Sequence, residues 1–125
     1  MKFYYFSSVS LLPKEMKEGL QAPDVPMDPP LEFHGPRLYE SPKSPLPTPP
    51  EIRYTIEIPK NRSESLKWVK TPTGPAYVYI GKEGVISEWI VLIERLTRNH
   101  QYQRIGITDL AEILKAASTQ NQNLG

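Results

Sequence analysis

Two histidines, His34 and His100, are the only imidazoles in the chain, and there is no cysteine. The lack of thiols excludes a disulfide framework, thiolate zinc sites and a cysteine nucleophile together. A nucleophile, a base and an orienting acid can be drawn from Ser87, His100 and Asp109, but no local spacing ties them into one constellation. His100 reads instead as a helix-terminal residue beside the negative end of the dipole. Gly81 and Gly84 in "IGKEGVIS" flank a turn, yet the further glycine and the lysine-serine pair of a phosphate loop are missing. No metal-ligand spacing and no paired-carboxylate motif occurs. The expectation is a protein that is not an enzyme, with no catalytic, cofactor-binding or metal-binding residue.

Residues that recognise rather than react are more numerous. Lys60, Arg62, Lys67 and Lys70 form one basic cluster, and Arg95, Arg98 and Arg104 form another. Tyr77 and Tyr79 alternate on one strand beside the first cluster, which outlines a stacking platform for RNA or single-stranded nucleic acid. The aromatic motif of an RNA-recognition sheet is absent, however, and the net charge is only +1.

The clearest signal is proline. Ten of the fourteen prolines lie between Pro23 and Pro50, where they fix φ and remove backbone donors, so extended polyproline II is expected. "YESPKSPLPTPPE" holds three Ser/Thr-Pro steps, at Ser41, Ser44 and Thr48, each a candidate phosphorylation site that would swing the local charge negative. It also holds P-x-x-P registers, Pro42 to Pro45 and Pro47 to Pro50, of the kind that dock in aromatic grooves. The N-terminal "FYYF", Phe3, Tyr4, Tyr5 and Phe6, is too apolar for a free tail. It must be covered, either by its own sheet or, as the favoured expectation, by strand addition to a neighbouring copy.

These features need elements to hold them. Tyr54, Ile56 and Ile58 alternate with Arg53, Thr55 and Glu57, the period of a half-buried strand. "SLKWVKT", the turn residues "TPTGP" and "AYVYI" read as a hairpin. Ile86, Trp89, Ile90, Ile93 and Leu96 recur at three- and four-residue spacing and predict a central helix ending at Asn99 and His100. Thr108 is placed to cap a second helix, with Asp109 and Glu112 in its first turn and Leu110, Leu114 and Ala117 inside. The tail "STQNQNLG" is polar and expected to fray. The expected fold class is α+β: a small three-stranded antiparallel sheet followed by two packed helices, preceded by an extended proline-rich arm. The expected division is residues 1–50 as arm and 51–125 as domain, the latter small enough to bury only ~60% of its unfolded surface.

The stretch "WIVLIERLTRNHQYQRIGITDLAEILKAAS" resembles the N-terminal part of the globular domain of rhabdovirus matrix proteins. The similarity covers about 30 residues, through Asn99, His100, Ile105, Gly106 and Ser118, together with the order of proline-rich arm, strand and helix pair. No P-P-x-Y motif occurs; Pro29-Pro30-Leu31-Glu32 and Pro49-Pro50-Glu51-Ile52 stand in its place. The resemblance implies a viral structural adaptor between nucleocapsid, membrane and host proteins.

No apolar run approaches the ~18 to 20 residues that span a bilayer. "MKFYYFSSVSLL" has the charge and apolar run of a signal peptide, but Pro13, Lys14 and Glu15 follow where a small-x-small cleavage site belongs. The expected setting is cytoplasmic, within a host cell or virion if viral, or nuclear. The expected partners are other copies of the chain, proteins that read the proline-rich arm, and a nucleic acid or membrane surface.

Overall fold

The computed structural model describes residues 1–21, 35–44, 46–71 and 74–124, with side chains as far as Ala116 in the last helix. His34, Pro45, Pro23, Pro26, Pro29 and Pro30 lie outside the described residues.

In chain order the elements are β1 (Lys2–Ser7), α1 (Leu12–Glu18), β2 (Arg37–Leu38), β3 (Ile52–Glu57), β4 (Leu66–Thr71), β5 (Gly74–Tyr79), β6 (Ile90–Leu96), β7 (Tyr102–Arg104) and α2 (Ile107–Leu124). Short 3₁₀ turns precede α1, β4 and β6. Two antiparallel sheets result, one ordered β1-β3-β6-β7 and the other β2-β5-β4. Tyr39, just past β2, bridges Tyr4 of β1 through paired backbone hydrogen bonds of 2.7 and 2.8 Å. The sheets therefore meet edge to edge.

This architecture corrects the expected three strands and two packed helices. The segment from Ile90 to Leu96 is a strand lying between β3 and β7, not a helix. Its helical spacing mixes two elements, since Trp89 ends the 3₁₀ turn Ser87–Trp89 and only the following residues enter the strand. Within the strand, the β-branched Ile90, Val91 and Ile93 favour an extended backbone. A strand flanked on both sides, with side chains half-buried on both faces, carries a continuous apolar run that periodicity cannot tell from a helix. A register shift opposite Thr55 and Ile56 leaves Val91 outside the pairing, as in a β-bulge.

The second correction concerns the first fifty residues. β1 pairs with β3 of the same chain over six positions, from Lys2↔Glu57 to Ser7↔Ile52. Phe3, Leu12, Leu20 and Leu38 join Ile52, Tyr54, Ile56, Ile58, Tyr79 and Val85 in one core. The aromatic segment is thus covered internally rather than by a neighbouring copy, and the expected boundary at Pro50 runs through the core. Trp89, Ile93, Leu110 and Ile113 pack against that core from the 3₁₀ turn before β6, from β6 and from α2.

The expected hairpin is present as β4 and β5, from Leu66↔Tyr79 to Thr71↔Gly74. Gly84, one of the two glycines that suggested a phosphate loop, has φ +68°, and a Cβ there would lie 2.6 Å from the Leu20 carbonyl oxygen. Gly19 meets the Val85 carbonyl in the same way, at 2.5 Å. The two glycines let Leu20 and Val85 exchange hydrogen bonds of 2.7 and 2.9 Å, which ties the end of α1 to the turn before β6. In α2 the Gly106 carbonyl accepts the Leu110 N–H, so Thr108 sits inside the first turn rather than at the cap.

Candidate functional site

Residues Glu40 to Glu51 cross from the end of β2 to the start of β3, and the sheet holds them at both ends. Arg53 on β3 is the hub. Its Nε and Nη2 donate to Glu94 Oε1 on β6 at 3.1 and 2.7 Å, and its Nη1 donates to the Pro42 carbonyl at 2.9 Å. The guanidinium also lies over the Tyr102 ring, 4.4 Å from its centre, and 5.8 Å from that of Tyr4. The side chains of Arg53 and Glu94 are only 17% and 13% exposed, so the pair is largely desolvated. At the other end, Tyr102 Oη donates to the Pro50 carbonyl at 2.7 Å, and the Leu96 N–H donates to the Glu51 carbonyl at 2.8 Å. Burial pushes the Tyr102 hydroxyl pKa up against the opposing pull of Arg53, which keeps it a donor.

Side-chain alternation decides which aromatics join this site. Tyr4 and Phe6 share a face of β1 with Arg53, across the register Phe6↔Arg53. Phe6 lies 5.9 Å from Tyr39 and 6.3 Å from Tyr102. Phe3 and Tyr5 point to the opposite face, where they meet Tyr77 at 5.3 Å and Tyr54 at 6.2 Å. The N-terminal aromatic segment is thus split, half supporting the loop and half filling the core.

Between its anchors the loop displays Lys43, Leu46, Pro47 and Thr48 to solvent. Ser41 Oγ accepts the Lys43 N–H at 3.2 Å and Ser44 Oγ accepts the Leu46 N–H at 3.1 Å, two local turns that shape the chain without regular structure. Leu46 is 47% exposed, and Pro47 and Thr48 are exposed beside it. A cleft of about 260 Å³ opens where Tyr39, Glu40, Ser41 and Lys43 face Pro75 and Tyr77 of the neighbouring hairpin.

The proposed stacking platform is not assembled. Tyr79 is 1% exposed, donates its hydroxyl to Glu83 and packs edge-on against Trp89 at 5.6 Å. Burial and that hydrogen bond push its pKa up to about 12. Tyr77 is half-buried against Phe3. Lys60 and Arg62 sit on the 3₁₀ turn Lys60–Ser65, with Arg62 3.8 Å from Glu83, while Lys67 and Lys70 fall on opposite faces of β4. His100 is in a turn with φ +59°, and Ser87 Oγ reaches Glu88 rather than an imidazole.

One buried group escapes any sequence pattern. Glu15, 8% exposed, accepts hydrogen bonds at its Oε1 from Ser7 Oγ at 2.5 Å and Tyr54 Oη at 3.0 Å. Burial raises its carboxyl pKa above the ordinary range, against the lowering pull of those two donors. The Tyr5 hydroxyl nearby is pushed up to about 12 by burial and by Glu15. A carboxyl whose pKa is raised on folding stabilises the fold fully below its unfolded value, and that contribution is lost as pH rises through the folded value. Glu15→Gln keeps an acceptor for Ser7 and Tyr54 and cannot ionise. Thermal unfolding followed from pH 4 to 8 should show a higher midpoint for Glu15→Gln at neutral pH and a flatter pH profile; an unchanged slope would show that Glu15 is not the titrating group.

No family model, curated protein or solved structure matches the chain. Among the described residues no helix is long and apolar enough to cross a membrane, and no group of three His, Asp or Glu side chains is placed to hold a metal ion.

Proposed function

We propose that the chain is a non-enzymatic adaptor that presents a proline-rich loop to protein partners and self-associates. The observation that carries this reading is the double anchoring of the loop by Arg53 at Pro42 and by Tyr102 at Pro50, which leaves Leu46, Pro47 and Thr48 outward. A loop fixed at its ends has less entropy to lose on binding than a free tail, and that saving appears as affinity. The edge strand β4, with Trp68 57% exposed, supplies a surface for self-association. A single-strand-binding role has weaker support, because Tyr79 is unavailable for stacking. An assembly protein of matrix type is one form such an adaptor takes; its support is the sequence pattern from Asn99 to Ser118, with β6 a strand where that family has a helix.

A panel of purified proline-reading domains, of the SH3 and WW kinds, tests the recruiting role on the full chain. At least one should bind in the micromolar range and lose about tenfold in affinity with Pro47→Ala, the effect expected when a docked proline is removed. No domain distinguishing the two proteins would overturn the reading.

A further inference from the structure

Strand edges are where a folded chain still holds unmade backbone hydrogen bonds. β7 is three residues long and β2 two, and the outer edge of β1 is crossed by Tyr39 at Tyr4. β4 ends its sheet with six residues and has no strand on its outer side among the described residues. Which of its backbone groups point outward follows from the register. The Ser65 carbonyl accepts the Ile80 N–H at 2.8 Å, and the pairing runs unbroken from Leu66↔Tyr79 to Thr71↔Gly74. Bonded and non-bonded pairs alternate in an antiparallel ladder, so Ser65, Lys67, Val69 and Thr71 bond to the strand beside them. Leu66, Trp68 and Lys70 therefore turn their N–H and C=O groups away from it. Pro75, which has no N–H to give, stands opposite Lys70 and agrees with that phase.

The Leu66 N–H is already taken by the Ser63 carbonyl, at the end of the 3₁₀ turn before β4. That leaves open the Leu66 C=O and both groups of Trp68 and of Lys70, none with a partner among the described residues. The Trp68 side chain is 57% exposed and makes no ring contact among the described residues. An open ladder and an uncovered indole thus share one edge.

Charge narrows what can lie there. If a second β4 pairs antiparallel about a two-fold axis, registers centred on Lys67 or Lys70 set ammonium against ammonium. Those centred on Leu66 or Thr71 run into the turns at the ends of the strand. Centring on Trp68 or on Val69 keeps every cation apart: Lys70 then faces Leu66 or Trp68, and Lys67 faces Val69 or Thr71. Either gives four backbone hydrogen bonds, with the N–H groups of Trp68 and Lys70 as the donors. The indole is covered in both, by its counterpart or by a lysine stem. An acidic strand could answer the lysines, but Lys67 and Lys70 point to opposite faces of β4, so carboxylates along one face meet only one of them.

We propose that two copies of the chain pair β4 to β4, antiparallel about a two-fold axis at Trp68 or Val69, and join their three-stranded sheets into one of six strands. The inference rests on the self-association in the adaptor reading and gives it a surface, a symmetry and a limit. The pairing uses the β4 edge of both copies, so assembly closes at two. The far end of the sheet is β2, whose two residues lead into the bridge to β1 and offer no second edge of that length.

The test uses the full chain. Its mass by light scattering should rise with concentration from one chain to two and stop there. Amide exchange reads the edge directly: Trp68 and Lys70 should exchange as open amides in dilute solution and at least about tenfold more slowly once most chains are paired. Lys67 and Val69, bonded to β5, should stay protected throughout. Lys70→Pro removes an outward N–H and no ladder bond, as Pro75 does on the facing strand, so the fold should hold and the dimer weaken at least about tenfold. Trp68→Lys sets ammonium against ammonium in either register and should do the same; unchanged amide spectra away from β4 confirm that both variants are folded. Added salt should leave the dimer unchanged or tighten it, since it screens lysines and breaks no ion pair. A chain that stays monomeric, a mass that grows beyond two chains, a dimer with unprotected Trp68 and Lys70 amides, or variants that dimerise like the parent would overturn the proposal. So would a peptide of alternating glutamate and valine that protects those amides where the chain alone does not, in favour of an acidic partner strand. A monomer that still binds a proline-reading domain would leave the recruiting role standing, and a dimer that binds none would remove that role and leave the pairing.

Discussion

Arg53→Met is expected to release the proline-rich loop and to destabilise the sheet by about 2 to 4 kcal/mol, because it leaves Glu94 desolvated without its partner. Arg53 makes two bonds to Glu94, one to Pro42 and a stacked contact with Tyr102, so one substitution removes the whole anchor at that end. The loop should respond more than the fold does. Trypsin cleavage after Lys43 needs the chain to lift off the sheet, and its rate follows the open population when reclosing is fast. Losing a charge-assisted hydrogen bond of ~1.5 to 3 kcal/mol raises that population about ten- to hundredfold. Cleavage at Lys43 should accelerate accordingly in Arg53→Met under conditions where both proteins are folded. Arg53→Lys keeps a charge without the fork and should fall between the two. Equal cleavage rates in all three proteins would show that the loop is not held by Arg53.

Phe3→Ala is expected to cost about 3 to 5 kcal/mol, among the largest losses available to a single substitution here. Phe3 is buried, packs on Tyr77 and belongs to a strand paired over its full length with β3. The dependence on concentration carries the structural information. Since β1 pairs within its own chain, Phe3→Ala should lower the urea midpoint by the same amount at every protein concentration. If β1 were exchanged between copies, the substitution would also weaken association, and the gap between the two midpoints would change with concentration, because dissociation would then accompany unfolding.

The strands and turns with local signatures were legible from residues alone. The alternation around Tyr54, Ile56 and Ile58 is β3, and the turn cluster after Thr71 joins β4 to β5. β6 was not legible, because an apolar run flanked by strands on both sides lacks the alternation that would separate it from a helix. The loop's prolines were visible, but its clamp was not. Arg53 and Glu94 are 41 residues apart, as the hydrogen bond between them records, and each reads locally as an ordinary polar strand residue. Glu15 has the same character: nothing in "LPKEMKE" announces a carboxyl that will be buried between Ser7 and Tyr54. Tyr79 shows the converse, an aromatic on a strand that reads as a platform until Glu83 and Trp89 are seen to enclose it.

The central claim is that the anchored loop, and not the sheet surface, receives the partner. Backbone amide resonances of the full chain, followed while a proline-reading domain is added, address it most directly. Lys43, Leu46 and Thr48 should shift progressively while the amides of β3, β4 and β6 remain in place. Shifts confined to β4 around Trp68, with the loop amides unmoved, would contradict it.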